Sequence, residues 1–228
     1  MSRSQLNLDD DNDARWQAFS QAAIQSNAKL PSEGPIANEI KRVLGASEFV
    51  FRHAVQYPEW VGALLQDRGL DRPRERQAYW QRLDRLLPPG IDAAVTDLPA
   101  ALRRFRKEEM LRIAWRDLAG RAPLEEILNE LSDLADVCIA RALGILQEAL
   151  AHKYGQPTDQ NGRALQMVVV GMGKLGAREL NFSSDVDLIF AFAAAGQTVG
   201  ADAPITHDDF FTRLARRLIQ TLSQVRPD

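Results

Sequence analysis

The sequence predicts an α+β protein, with a helical N-terminal domain followed by the opening of a domain that combines strands and helices. Two observations carry this. Apolar residues recur at three- and four-residue steps through much of residues 15–153, the spacing of amphipathic helices. After residue 162 the pattern changes to short β-branched and aromatic runs, Met167–Val170 and Val186–Phe192, each bounded by turn residues. The polar segment Tyr154–Gly162, with one proline and two glycines, separates the two patterns and marks the expected boundary.

Taken in order, residues 1–14 read as a loose polar tail, and Ala14–Leu30 as a weakly amphipathic helix. Pro31–Pro35 is a break. Ile36–Tyr57 reads as helix interrupted near Gly45, with Ser47 available as an N-cap. Pro58 ends it and opens the short helix Glu59–Leu65. Arg74–Leu87 is a further helix, stopped by Pro88-Pro-Gly90. Pro99–Ala119 is long and helical, with Gly120 where a C-cap glycine belongs.

Pro123 opens the clearest helix, with Leu124, Ile127, Leu128, Leu131, Leu134, Cys138, Ala142, Leu146 and Ala149 on one stripe. Thr206 caps a last helix whose stripe is Phe210, Leu214, Leu218, Thr221 and Val225. The expected organisation is therefore a tail over 1–14, a helical leader over 15–153 and a partial second domain over 163–228.

The bulk composition narrows the function. The 228 residues are 45% hydrophobic and 26% charged, an ordinary globular balance. A net charge of -3 gives no bulk attraction to nucleic acid or to an anionic membrane. Cys138 is the single cysteine, so no internal disulfide forms. No apolar run approaches the roughly 18 residues of a spanning helix. The start is acidic, without the basic and apolar regions of a secretory signal. The expected location is cytoplasmic, with neither a membrane nor a nucleic acid as partner.

The densest chemistry lies between Val168 and Phe190: an apolar run, the turn Gly171-Met-Gly-Lys-Leu-Gly176, and then Asp185 and Asp187. Two aspartates two apart on a strand point to the same side. Such close like charges repel, and a divalent cation relieves the repulsion. Oxygen-rich sites of this kind suit magnesium together with substrate phosphates. A strand end whose acids merely face water is the alternative. Val186, Leu188, Phe190 and Phe192 are expected to enter the core from the other side.

The glycine turn formally matches the dinucleotide-binding pattern, but a Rossmann acid closes the second strand. Here the acids open it. The P-loop also fails, since Leu175 stands where serine or threonine is required and Val168 where the first glycine belongs. What remains is a turn whose backbone N–H groups can approach a phosphate. Lys174 either adds charge to that phosphate or lies in solvent. Ser183 and Ser184 either contact phosphate or cap the turn, and Arg178 is expected to pair locally with Glu179.

The run Gly-Met-Gly-Lys-Leu-Gly-Ala-Arg-Glu-Leu-Asn-Phe-Ser-Ser-Asp-Val-Asp-Leu-Ile-Phe190 resembles the signature of the glutamine synthetase adenylyltransferase family, a branch of the polymerase-β-like nucleotidyltransferase superfamily. Met172 and Asn181-Phe182 resemble the wording of its N-terminal, deadenylylating half. Leader segments at Ser47–Val50, Tyr57–Trp60, Leu102–Leu118 and Leu131–Asp136 resemble the same family.

The resemblance implies an incomplete nucleotidyltransferase domain with a mixed sheet. It also implies phosphorolytic removal of AMP from a tyrosine of glutamine synthetase, giving ADP, in control of nitrogen assimilation. Gly171, Gly173, Lys174 and Ser184 would hold nucleotide or phosphate. Asp185 and Asp187 would be catalytic and would ligate Mg2+. Partners would be glutamine synthetase, adenine nucleotide and phosphate, and the nitrogen-regulatory PII protein through regions absent here.

The family's third metal carboxylate sits in an Arg-x-Asp-x-Arg segment that this sequence lacks, and Asp228 is not a substitute. The expectation is a truncated chain, close to inactive alone. The other readings are a non-catalytic binding fragment and a nucleotidyltransferase with a different acceptor. The wording of the leader argues against the last.

Elsewhere the simplest readings hold the field. Arg103, Arg104, Arg106, Lys107, Arg112 and Arg116 read as a solvated basic face partly neutralised by Glu108, Glu109 and Asp117, or else as a contact for phosphates or an acidic partner. His53, His152 and His207 lack metal-ligand spacing and read as surface or structural. Cys138 and Trp60, Trp80 and Trp115 read as packing residues.

Overall fold

The computed structural model describes residues 3–66 and 68–224. Val225, expected on the last helical stripe, and the terminal Arg226–Asp228 lie outside the described residues. No glycine or proline interrupts residues 1–30, so nothing in the sequence breaks a helix there. Accordingly α1, Arg3–Gln25, begins inside the segment expected to be a loose tail.

Next come α2, Pro35–Ala46, and α3, Glu48–Gln56. They part at Ser47, two residues beyond the expected break at Gly45. The Ser47 side chain accepts from the Val50 N–H at 3.3 Å, the N-cap that spacing predicts. Pro58 opens α4, Pro58–Gln66, and α5 is Arg76–Asp84.

The next helix, α6, runs Ile91–Leu118 and contains Pro99, which was expected to start it. Pro99 lacks the N–H that its turn would use. Leu98, Leu102 and Phe105 are fully buried around it, and that packing holds the helix through the missing bond. Gly120 then takes φ +69, and Arg121 N–H bonds back to Arg116 O at 2.8 Å, the glycine C-cap expected there.

After Pro123, α7 runs Leu124–Tyr154. Ile127, Leu131, Leu134, Cys138, Ala142 and Leu146 of its expected stripe are buried, and Leu124 is exposed.

The chain divides into two units. One comprises Met1–Arg74 and Lys107–Glu130, and the other Glu75–Arg106 and Leu131–Asp228. The helices α6 and α7 contribute to both, so the division does not fall at Tyr154–Gly162. That polar segment instead supplies β1, Gln156–Pro157.

The first unit packs α1 to α4 with the C-terminal half of α6 and the first turns of α7. Phe19, Ile40, Val43, Leu44, Val50 and Trp115 are buried in it. At its centre lies a charge network. Glu109 accepts from Arg74 Nε and Arg112 Nε, each at 2.9 Å. Glu130 bonds both Arg112 and Arg116, and Arg116 also reaches Glu126. Arg112 and Arg116 are thus buried, not part of a solvated face. Their partners Glu126 and Glu130 come from α7, which adjacent-sequence reading does not reveal.

The second unit carries two short sheets. In one, β2, Val168–Gly171, pairs antiparallel with β3, Leu188–Ala191, in the register Val168↔Ala191 and Gly171↔Leu188. In the other, β1 pairs antiparallel with β4, Thr198–Val199. Among the described residues no parallel pair forms, which corrects the expected mixed sheet. The reason is local. Between β2 and β3 stands only α8, Gly173–Gly176, a single turn that cannot span a sheet face on a parallel return.

The last helix, α9, His207–Ser223, starts as predicted, with Thr206 accepting from Asp209 N–H at 3.1 Å. It buries Phe210, Leu214, Leu218 and Thr221, and Phe211 stacks on Phe192 at 4.7 Å between centroids. No helix of the described residues is long and apolar enough to cross a membrane.

Candidate phosphate and metal site

The site lies within the second unit and grows out of the β2–α8 turn. Gly173 takes φ +54, a left-handed conformation that glycine enters without strain. A side chain at Gly176 would meet the carbonyl oxygen of Gly171 at 2.5 Å, so only glycine lets α8 fold back onto the end of β2. The first bond closing α8 runs from Gly176 N–H to Met172 O at 3.3 Å. The N–H groups of Gly173, Lys174 and Leu175 therefore have no intrahelical acceptor, as at any helix start.

Four hydrogen bonds tie the predicted Lys174, Ser184 and Asp187 into place. Met172 N–H donates to Asp187 O at 2.9 Å, which extends the β2–β3 ladder and seats the aspartate beside the turn. Lys174 Nζ donates to Ser184 Oγ at 3.2 Å. Ser184 Oγ donates to Asn181 Oδ1 at 2.6 Å, and Ser184 N–H donates to Asn181 O at 3.2 Å. Ser184 thus closes a turn and meets Lys174. Asn181, which also accepts from Ser183 N–H at 3.2 Å, is the centre of that turn, a role that the resemblance of Asn181-Phe182 did not assign to it. An asparagine two and three residues before serines is the signal that would have found it.

Asp185 and Asp187 precede β3 instead of opening it, because the paired register ends at Leu188. Both are exposed, and neither carboxylate has an ion-pair or hydrogen-bond partner among the described residues. Val186 is exposed as well, against expectation. Leu188, Phe190 and Phe192 are half-buried. Val168, Val170 and Ile189 are 55%, 44% and 51% exposed, so the opposite sheet face is open among the described residues.

Two unpaired carboxylates beside a glycine turn form a hard oxygen donor set, which fits magnesium with phosphate ligands. Among the described residues no group of three or more acidic, histidine or cysteine side chains is arranged so that it could hold a metal ion. The three histidines keep to structural or surface places. His53 and His207 are buried, and the ring nitrogens of His207 lie 2.9 Å from Ala194 O and 3.1 Å from Gln197 O.

Arg178 does not pair with Glu179. Its guanidinium reaches α7, with Nη2 3.0 Å from Asp133 Oδ1 and Nη1 3.8 Å from Asp136 Oδ2. Asp136 also holds Arg76 Nη2 at 3.0 Å. Burial, partly offset by Arg76 and Arg178, raises the Asp136 carboxyl above its ordinary range.

Residues 37–228 match the family model described as glutamate-ammonia ligase adenylyltransferase. A bifunctional glutamine synthetase adenylyltransferase/adenylyl-removing enzyme of Thioalkalivibrio sulfidiphilus is 45% identical over 80% of this chain and 19% of its own length. The enzyme of the same description from Nitrosococcus oceani is 42% identical over 90% of this chain and 21% of its own. That from Burkholderia mallei is 49% identical over 68% of this chain and 17% of its own. The chain therefore spans about a fifth of the length of these curated relatives.

Proposed function

Because the chain belongs to the glutamate-ammonia ligase adenylyltransferase family, we propose that it is part of an enzyme that removes AMP from an adenylylated tyrosine of glutamine synthetase, using inorganic phosphate. The observation that supports this is the contact set joining the glycine turn to Asp187 and Lys174 to Ser184, with Asp185 beside Ser184 in the chain and both carboxylates exposed.

In this reaction a phosphate oxygen bonds to the adenylyl phosphorus. The bond from that phosphorus to the tyrosine oxygen breaks, ADP leaves, and the phenolate takes up the proton that the attacking hydrogen phosphate gives up. Gly173, with nothing within 4 Å of where a side chain would begin, leaves backbone room for a phosphate, and Lys174 beside Ser184 supplies a cation against its charge. Asp185 and Asp187 would hold magnesium, which when bound neutralises phosphate charge as bonds exchange. The choice of AMP removal over AMP attachment rests on the resemblance of Met172 and Asn181-Phe182 to the deadenylylating half, since both directions need the same cradle. Glutamine synthetase and adenine nucleotide are the proposed partners, and the PII protein would act through regions other than this one.

Calorimetric titration of ADP in the presence of magnesium tests the site. Asp185→Asn or Asp187→Asn is expected to weaken binding at least tenfold, about 1.4 kcal/mol, with the circular-dichroism spectrum unchanged. Equal affinity in wild type and both variants would remove the metal-ligand assignment. Two carboxylates are proposed for this site, and among the described residues no group of three or more acidic, histidine or cysteine side chains that could hold a metal ion forms. Residues 1–228 alone are therefore expected to release ADP from the adenylylated synthetase at a rate near background. Clear phosphate-dependent ADP formation would overturn that expectation.

A further inference from the structure

We propose that Arg178 is a positioning residue that clamps the segment carrying Asp185 and Asp187 onto helix α7 through Asp133 and Asp136. The inference rests on the site reading above, and adds to it a residue outside the phosphate cradle.

The backbone states the problem first. Arg178 has φ +60, and the turn around it is a left-handed helix cap, with Glu179 N–H bonding to Lys174 O at 2.7 Å and Arg178 N–H to Leu175 O at 3.0 Å. Glycine is the default residue at that position, because any side chain there strains the backbone. An arginine held in this conformation calls for a compensating contact.

The side chain supplies it. Arg178 reaches both Asp133 and Asp136, which lie one helical turn apart on α7. Asp136 is shared with Arg76, so the two acids and two arginines form a linked set and not an isolated pair. Isolated exposed pairs contribute little; a linked set on a fixed helix orients its members more strongly.

The next anchor is two residues on. Leu180 is buried, and its N–H donates to Ser132 Oγ at 3.4 Å, again on α7. Then come the Asn181 turn, Ser184 and Asp185. At the far end Asp187 O is fixed by Met172 N–H. The segment 178–187 is thus pinned on α7 at one end and on β2 at the other. Both aspartates lie near the second pin, with exposed carboxylates whose placement depends on the first.

The test uses Arg178→Gly, Arg178→Lys and Asp185→Asn in the 228-residue chain. Three readouts are compared: amide hydrogen exchange, thermal midpoint, and manganese(II) binding by electron paramagnetic resonance. Arg178→Gly relieves the backbone strain while deleting the clamp. Its thermal midpoint is expected to stay at or above wild type while amides of residues 180–187 exchange at least tenfold faster. Its manganese affinity is expected to fall severalfold, with partial recovery in Arg178→Lys. Unchanged exchange over 180–187 in Arg178→Gly would overturn the clamp. If wild type binds manganese no better than Asp185→Asn, the metal-site reading fails instead, and the exchange rates alone decide for or against the clamp.

Discussion

Two glycines in helices of this protein face opposite surroundings and give opposite predictions. Gly176, in the candidate site, has the Gly171 carbonyl oxygen 2.5 Å from where a side chain would begin. That neighbour is backbone and cannot rotate away. Gly176→Ala is expected to cost about 1–3 kcal/mol, the usual range for forcing a methyl group into filled space, and to displace α8 from β2. Gly144, midway along α7, is exposed and has nothing within 4 Å. There alanine removes only the backbone freedom of the unfolded chain, and Gly144→Ala is expected to stabilise by about 0.5–1 kcal/mol. Urea unfolding of both variants checks the pair. A stabilised Gly176→Ala would mean that the turn is looser than its geometry. The glycine turn is legible from its spacing, but spacing assigns its chemistry to the whole pattern. Which glycine answers to φ and which to a close approach depends on where α8 folds back.

At the scale of helices, the charge network joining α6 and α7 decides how the first unit tolerates substitution. Arg112 and Arg116 are fully buried, and Glu130 bonds both. A buried ion pair is not by itself a gain in stability, because desolvation offsets the attraction. Removing one member is different, since Glu109 and Glu126 are then left to balance two buried guanidinium groups without the acid that bridges them. Glu130→Gln is therefore expected to destabilise by about 3–5 kcal/mol, measured as a shift in the urea midpoint at constant slope. A loss below about 1 kcal/mol would mean that Glu109 and Glu126 take over its partners.

The caps of these elements were legible, because each is set within a few residues: Ser47 and Val50, Thr206 and Asp209, Gly120 and Arg116. The burial of Arg112 and Arg116 was not. It depends on Glu130, which lies 18 and 14 residues away on another helix. The pairing of Arg178 is hidden for the same reason, as its partner Asp133 is 45 residues back. The strand limits around Asp185 failed differently. Period-two apolar patterning runs on past the last paired residue, so hydrophobicity overstates the strand.

Across the whole molecule, acid–base linkage sets opposite demands in the two units. His53, in the first unit, is buried, and burial lowers its affinity for a proton below the ordinary value of 6.5, with Lys107 and Arg52 adding to the effect against the hydrogen bond to Phe49 O. Between that lowered value and 6.5 the unfolded chain binds a proton that the folded chain refuses. Stability from this group is complete above pH 6.5 and is lost as pH falls through that window.

Asp136, in the second unit, runs the other way. Its raised affinity means that the folded chain holds a proton above the ordinary 3.8, so its contribution falls as pH rises through the window starting there. The two windows are expected to separate in variants. His53→Gln should flatten the decline in melting temperature just below pH 6.5 and leave the more acidic range unchanged. Asp136→Asn should act only in the range beginning at 3.8, and should leave the melting temperature near neutral pH level or higher, because the neutral side chain escapes the desolvation cost. Calorimetric melts of wild type and both variants from pH 4 to pH 8 would separate these effects. An unchanged pH profile in His53→Gln would show that another group governs acid sensitivity. A lowered neutral melting temperature in Asp136→Asn would show that its pairs with Arg76 and Arg178 outweigh its burial, which would place the clamp among the main supports of the second unit.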